Sequence, residues 1–494
     1  MSAERVAGPT PMTAAFHYRT AADGRRVVVT HGGREVSRFD FALPDAPRGP
    51  VTAGVDYRVE HDDLDGDWRT LITVDNLDAE SRALLPVGVG ITVAPGWAGW
   101  TWASDLEGIV WVAPLKESAP TLLVRLSGFV RVASTVPVFA PVDRRPDPQL
   151  PGAYAALHLA NPTGSLRGAA RSRTTLSFAA IDSPRLAGQF LPGWLPDLVC
   201  EGDDEIVFNT PDQAVVGGPG VTIDIAGNAA LVTALPGHGE IAFHDVRGVR
   251  RLRASFAPVL RHSWLGDLAT DLMRVRPSAA TSAAAAVVVQ VLTQGAAADR
   301  DQTLDWLERV DWLDRGDLLA VSVAQRLAAW NRDPQLASDA WVAACALPPG
   351  PGRGFLLSDC GFTILSAGGK VPNPELATGR HRGADPWSQL EDAVITRAEP
   401  TEDLVRTVEA AQTRLGVGLP GEPIKLTEAE AGYLIHLLLA LPWTWDRPEF
   451  QDRVSEAGQV AHRAGRLLLA DHAAGLQPGY TGLAWLLMQH EDAG

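Results

Sequence analysis

The chain has 494 residues, 46 % of them hydrophobic and 21 % charged. That excludes a mainly disordered protein and leaves room for two or three domains with large cores. The net charge of −16 excludes a broad basic face, so neither nucleic acid nor an anionic membrane is expected as a partner. Cys200, Cys345 and Cys360 are an odd set in a long chain, which argues against a disulfide framework and for a reducing, cytoplasmic compartment.

In chain order, residues 1–12 hold Glu4, helix breakers and no apolar core. They read as a flexible N-terminus, not a signal peptide. Of forty-three basic residues only Lys116, Lys370 and Lys425 are lysine, a skew expected of GC-rich bacterial coding. From about Phe16 to Leu260 the pattern is β. Short runs rich in Val, Ile, Thr and aromatics are separated by Gly, Pro, Asn and Asp. In Val221-Thr222-Ile223-Asp224-Ile225 apolar and polar residues alternate, which puts them on opposite faces. Residues 13–262 are therefore expected to form a large antiparallel β-sandwich. It is either one super-sandwich or two sandwiches, with the Pro-rich stretch 137–151 as the seam.

Near His262 the period changes from two to 3.6. Helices are expected over 264–273, 281–292, 303–310, 317–330, 334–346, 386–398, 402–415, 428–441, 447–469 and 481–490. Thr427 with Glu430 spells a capping box, and Thr401 caps a helix whose first turn holds Glu402 and Asp403. The apolar run 283–292 is too short to span a bilayer. Residues 263–494 thus read as a helical hairpin array, either a bundle or α/α-toroid-like. One interruption stands out, a long connection at 347–386 with eight glycines and six prolines.

Several motifs dissolve on inspection. Gly416-Val417-Gly418-Leu419-Pro420-Gly421 spells G-x-G-x-x-G. A helix precedes it and Pro420 sits inside it, so a helix end and turn are expected, not a dinucleotide loop. Gly368-Gly369-Lys370 lacks the rest of a P-loop. No metal-ligand spacing occurs. Asp63-Leu64-Asp65-Gly66-Asp67 reads as a polar hairpin turn, because the closing Glu of a calcium loop is missing. The cysteines read as inert buried thiols and His436 as a core histidine. No cofactor and no metal are expected.

Carboxylates beside aromatics are what remains. Trp97, Trp100, Trp102 and Trp111 cluster in the β half, with Trp100 and Trp102 on one sheet face. Glu201, Asp203, Asp204 and Glu205 form an acidic run, and Trp443-Thr444-Trp445-Asp446-Arg447-Pro448-Glu449 lies between two helices. Rings that stack on sugar faces, with acids that bond hydroxyls, suit a saccharide, and glycoside cleavage needs two nearby carboxyl groups.

A large β-sandwich followed by helical hairpins resembles the glycoside hydrolases and phosphorylases that join a super-β-sandwich to an α/α toroid. The resemblance lies in order and class, and no catalytic residue is carried over from it. It implies a carbohydrate-active enzyme, a hydrolase, lyase or phosphorylase, with a site where the helical part meets the sandwich. Asp359, Glu375, Asp446 and Glu449 are the candidate acid and base. Trp443 and Trp445 are candidate sugar platforms, and Lys370 and Arg447 candidate anion binders. The alternative is a non-enzymatic scaffold or assembly protein that binds a protein partner or forms a homo-oligomer. A cyclase-type enzyme with an apolar helical cavity comes third, for lack of the acidic signatures it needs.

Overall fold

A computed structural model describes residues 16–43, 54–64, 67–84, 87–116, 119–132, 155–159, 165–202, 204–209, 214–245, 248–372, 385–441, 450–475 and 479–488. Sheets, antiparallel except where Val199–Glu201 runs parallel to Gly248–Ala257, occupy the N-terminal part and helices the C-terminal part. Two compact units result. One comprises residues 1–198, 205–254 and 419–426, and the other 199–204, 255–418 and 427–494.

The first unit is built on a β-sandwich. A six-stranded sheet runs in the order His17–Thr20, Arg26–His31, Arg34–Ala42, Gly88–Val93, Ala155–His158, Arg131–Val132. A seven-stranded sheet runs Glu422–Ile424, Trp97–Ala103, Glu107–Pro114, Thr121–Ser127, Arg171–Ile181, Asp67–Asn76, Val55–Leu64. Their inner faces share one core. Val27, Val29, Phe39, Val89 and Ile91 of the first sheet join Ile72, Val110, Val112, Leu122, Val124, Leu176 and Phe178 of the second. These positions alternate along each strand, as a sheet buried on one side requires. The strand Ala155–His158 pairs with Gly88–Val93, and Arg171–Ile181 pairs with Thr121–Ser127. The chain therefore returns to the same sandwich after the expected seam at 137–151, which lies outside the described residues, as do residues 1–12. A smaller β layer follows. In it the four strands Val199–Glu201, Gly248–Ala257, Gly237–Asp245 and Ala214–Gly217 accompany the three strands Ile206–Asn209, Ala229–Ala234 and Val221–Ala226. Phe208 and Phe243 pack at 4.9 Å between the two sheets.

The second unit holds α1 (His262–Leu272), α2 (Ser282–Thr293), α3 (Arg300–Glu308), α4 (Leu318–Asn331), α5 (Pro334–Ala346), α6 (Arg353–Ser366), α7 (Pro386–Thr396), α8 (Glu402–Arg414), α9 (Glu428–Leu439), α10 (Gln451–Ala473) and α11 (Thr481–Leu487). Side chains accept backbone N–H groups at Thr281, Asp299, Asp317, Asp333, Asp385, Thr401 and Thr427, and the Thr427–Glu430 capping box forms in full. Neighbour contacts run α2, α4, α5, α6, α7, α8, α10, α9, α11 and back to α2, a closed circuit.

Two features depart from the sequence reading. Helix α6 lies inside the stretch expected to be a long connection, and the reason is its cap. Gly352 at its N-cap has no side chain to offer, and Glu391 of α7 supplies the acceptor instead. The chain also returns once to the first unit. After α8, Gly416, Val417 and Gly418 take positive φ, and residues 419–426 belong to the first unit. The glycine-rich motif is thus a turn into the edge strand Glu422–Ile424, which pairs with Trp97–Ala103. Gly421 has φ of +110°, and a Cβ there would stand 2.2 Å from the Thr101 carbonyl oxygen. At Gly418 φ is also positive, but a Cβ would meet nothing within 4 Å. Gly421→Ala should therefore destabilise the protein by more than about 1 kcal/mol in urea titration, and Gly418→Ala by clearly less. Equal losses would refute the close-approach account of this strand.

Candidate functional site

The core of the sandwich dictates its outer face. With Val110, Val124 and Leu176 turned inward, their neighbours Ile109, Arg125, Thr175 and Ser177 must turn outward. The register then lines them up. Trp102 stands opposite Ile109, Ile109 opposite Arg125, and Arg125 opposite Ser177. The next row is Glu107, Ser127 and Thr175. These two rows floor a cleft of about 640 Å³. Its walls include Phe190, at the end of the 3₁₀ turn Pro184–Phe190, and Arg250 of the strand Gly248–Ala257.

Both guanidiniums in this cleft are held by rings. Arg125 lies over Phe190 at 5.3 Å, and Arg250 lies over Trp194 at 5.5 Å, 3.8 Å from Glu107. Trp102 is 4 % exposed, and its buried indole N–H has no partner among the described residues, at a cost of about 1–3 kcal/mol. Two cations, one carboxylate and three hydroxyls give the cleft a chemistry that suits an oxygen-rich anion.

The helical unit has a second, aromatic pocket of about 290 Å³ lined by Trp387, Tyr433, Trp485, Arg414 and Glu430 among others. Beside it Glu391 is buried. Its carboxylate accepts the N–H groups of Gly352 (2.7 Å) and Phe355 (2.9 Å) and the hydroxyl of Tyr433 (2.7 Å). Burial pushes the Glu391 carboxyl above its ordinary range, while the Tyr433 hydroxyl and these amides pull it back. Burial, and then the adjacent carboxylate, raise the Tyr433 hydroxyl, which stays protonated and donates. His436 packs 4.7 Å from Phe355 and 5.1 Å from Trp485. Its Nδ1 faces the Trp485 carbonyl at 3.2 Å, and burial lowers its pKa to about 4. It is a neutral core histidine, as expected.

Of the sequence-predicted site residues, Asp359 and Lys370 lie among the described residues. Asp359 lies on α6, in an ion pair with Arg326 at 3.5 Å. Lys370 is exposed after that helix. Glu375, Trp443, Trp445, Asp446, Arg447 and Glu449 lie outside the described residues. Of the β-half tryptophans, Trp100 and Trp111 are core, Trp97 is half-buried and Trp102 lies under the cleft. Trp100 and Trp111 are each 1 % exposed and stack at 6.3 Å, and Trp100 donates to the Pro420 carbonyl at 2.9 Å. In the acidic run, Glu201 meets Arg466 at 3.5 Å. Cys200 and Cys360 are buried, Cys345 is partly so, and burial pushes the Cys345 and Cys360 thiols up, which makes them poor nucleophiles. Strands Val55–Leu64 and Asp67–Asn76 pair with Leu64 opposite Asp67, a hairpin register. Among the described residues no cluster of three or more His, Cys, Asp or Glu could hold a metal ion, and no helix is long and apolar enough to cross a membrane. Arg125 and Arg250 were not singled out in the sequence. An outward Arg between Val124 and Leu126 is their only local signal.

No known family matches the sequence, and no curated protein does. Among solved structures, a polysaccharide lyase is similar with a TM-score of 0.43 and 10 % identity, over 91 % of this chain and 72 % of that one.

The depressed pKa of His436 has a consequence for stability. The unfolded chain binds this proton near pH 6.5 and the folded chain near pH 4, so stability is complete above pH 6.5 and falls as the pH drops toward 4. The loss is up to about 3 kcal/mol. Urea midpoints of His436→Gln should fall less steeply than those of the wild type across that window. Parallel slopes would contradict this.

Proposed function

We propose that this is a carbohydrate-active protein that binds an acidic saccharide in the cleft on the outer face of its sandwich. The observation that supports the reading is the pair Arg125 and Arg250, held by Phe190 and Trp194 in one cleft. A carboxylate or sulfate group suits a guanidinium fork. Ser127, Thr175 and Ser177 suit sugar hydroxyls. Rings that already restrain the guanidiniums reduce the entropy lost on binding. Glu107 is the one carboxylate lining the cleft among the described residues, and glycoside cleavage uses two. A cleaving enzyme would draw its acid and base from elsewhere, and Asp359, Glu375, Asp446 and Glu449 remain the proposed set.

A scaffold is the second reading, favoured by one observation. Val342, Phe362 and Leu365 are 60 %, 74 % and 61 % exposed on the packed helices α5 and α6, where a partner would cover them.

Thermal melting with a uronic-acid oligosaccharide and a neutral one of equal length separates the two. Saccharide binding predicts a rise in Tm with the acidic ligand alone, weakened by salt. Arg125 is exposed, so Arg125→Ala should keep the fold and weaken binding roughly tenfold or more. Equal shifts with both ligands, or none at millimolar concentration, would favour the scaffold.

A further inference from the structure

The aromatic pocket of the helical unit has a chemistry of its own, independent of the saccharide reading. Tyr433 and Trp485 meet edge to face, with ring centroids 5.6 Å apart and planes at 71°. They form two walls at nearly a right angle, and Trp387 adds a third aromatic. Gly352 is packed so tightly that a Cβ there would lie 2.3 Å from the Trp485 ring, so this wall is fixed in place.

The aromatic surfaces of the pocket favour a cation. Behind Tyr433 stands the Glu391 carboxyl group, which accepts from Gly352, Phe355 and the Tyr433 hydroxyl. A phenol that donates to a carboxylate has a more electron-rich ring. At the opening Glu430 is half exposed, and Arg414 donates to it at 2.8 Å. Arg414 and Glu430, the charged residues among those described as lining the pocket, balance each other, which leaves the preference to the rings. Aromatic faces carry negative potential. The volume of about 290 Å³ lies at the small end of the range for ligand sites, enough for a compact head group.

We propose that Trp387, Tyr433 and Trp485 form an aromatic cage for a methylated ammonium group, with Glu430 at its rim. The bound cation would touch ring faces on several sides, and its methyl groups would displace water from an apolar surface.

The test is calorimetric titration of the full chain with choline and with its uncharged carbon isostere, 3,3-dimethylbutan-1-ol. Choline should bind roughly tenfold more tightly or better, since the two differ in charge and not in shape. Trp387 is half-buried at the start of α7, so Trp387→Leu should fold and weaken choline by a similar factor. Arg414→Gln removes the one positive charge among the described residues that line the pocket and should tighten choline binding without helping the isostere. Equal affinity for both probes would overturn the cage, as would no choline binding at millimolar concentration. So would an Arg414→Gln variant that binds choline more weakly. None of these outcomes bears on the sandwich cleft.

Discussion

The side-chain period of two in the seven-stranded sheet is the constraint on which the rest depends. Once Val110, Val124, Leu126 and Leu176 are committed to the core, Ile109, Arg125, Ser127, Thr175 and Ser177 have nowhere to go but the other face. A slip of one residue would bury Arg125 and expose Val124. Each buried aliphatic side chain contributes about 1.5–3 kcal/mol, so the core holds the register and the register assembles the polar rows. The cleft is therefore a by-product of core packing that the surrounding pieces then sharpen. The turn Pro184–Phe190 brings a ring to Arg125, and a strand of the smaller β layer brings Arg250 to Glu107.

In the helical unit the organising contacts are remote caps and close approaches. Glu391 of α7 serves the N-terminus of α6 and anchors Tyr433 of α9 through one carboxylate. The same carboxylate therefore ties three helices and backs the aromatic pocket. Gly432 of α9 lies so near Gly482 of α11 that a Cβ on the first would come within 2.3 Å of the second's Cα. Small residues here set helix spacing, which in turn sets the position of Trp485 beside Tyr433 and His436.

How much of this could be read in the sequence follows from the range of each interaction. Local signals were legible. The Thr427–Glu430 capping box, the Thr401 cap and the alternation of Val221–Ala226 each act within a few residues, and each forms. Helix α6 was hidden because its acceptor sits thirty-nine residues downstream. The edge strand Glu422–Ile424 was hidden because three residues have no readable period, and their partner is the distant Trp97–Ala103. The tryptophans of the β half misled for a related reason. Spacing placed Trp100 and Trp102 on one face, but whether that face is covered is a tertiary matter. Arg125 and Arg250 are far apart in sequence and come to line one cleft through the sheet and the smaller β layer.

A crystal structure of the protein with an acidic disaccharide tests the central claim most directly. The account predicts the ligand's carboxylate within hydrogen-bond distance of the Arg125 and Arg250 guanidiniums, with its hydroxyls against Ser127, Thr175 or Ser177. A disaccharide bound elsewhere, with both arginines still resting on Phe190 and Trp194 and touching no ligand, would contradict it.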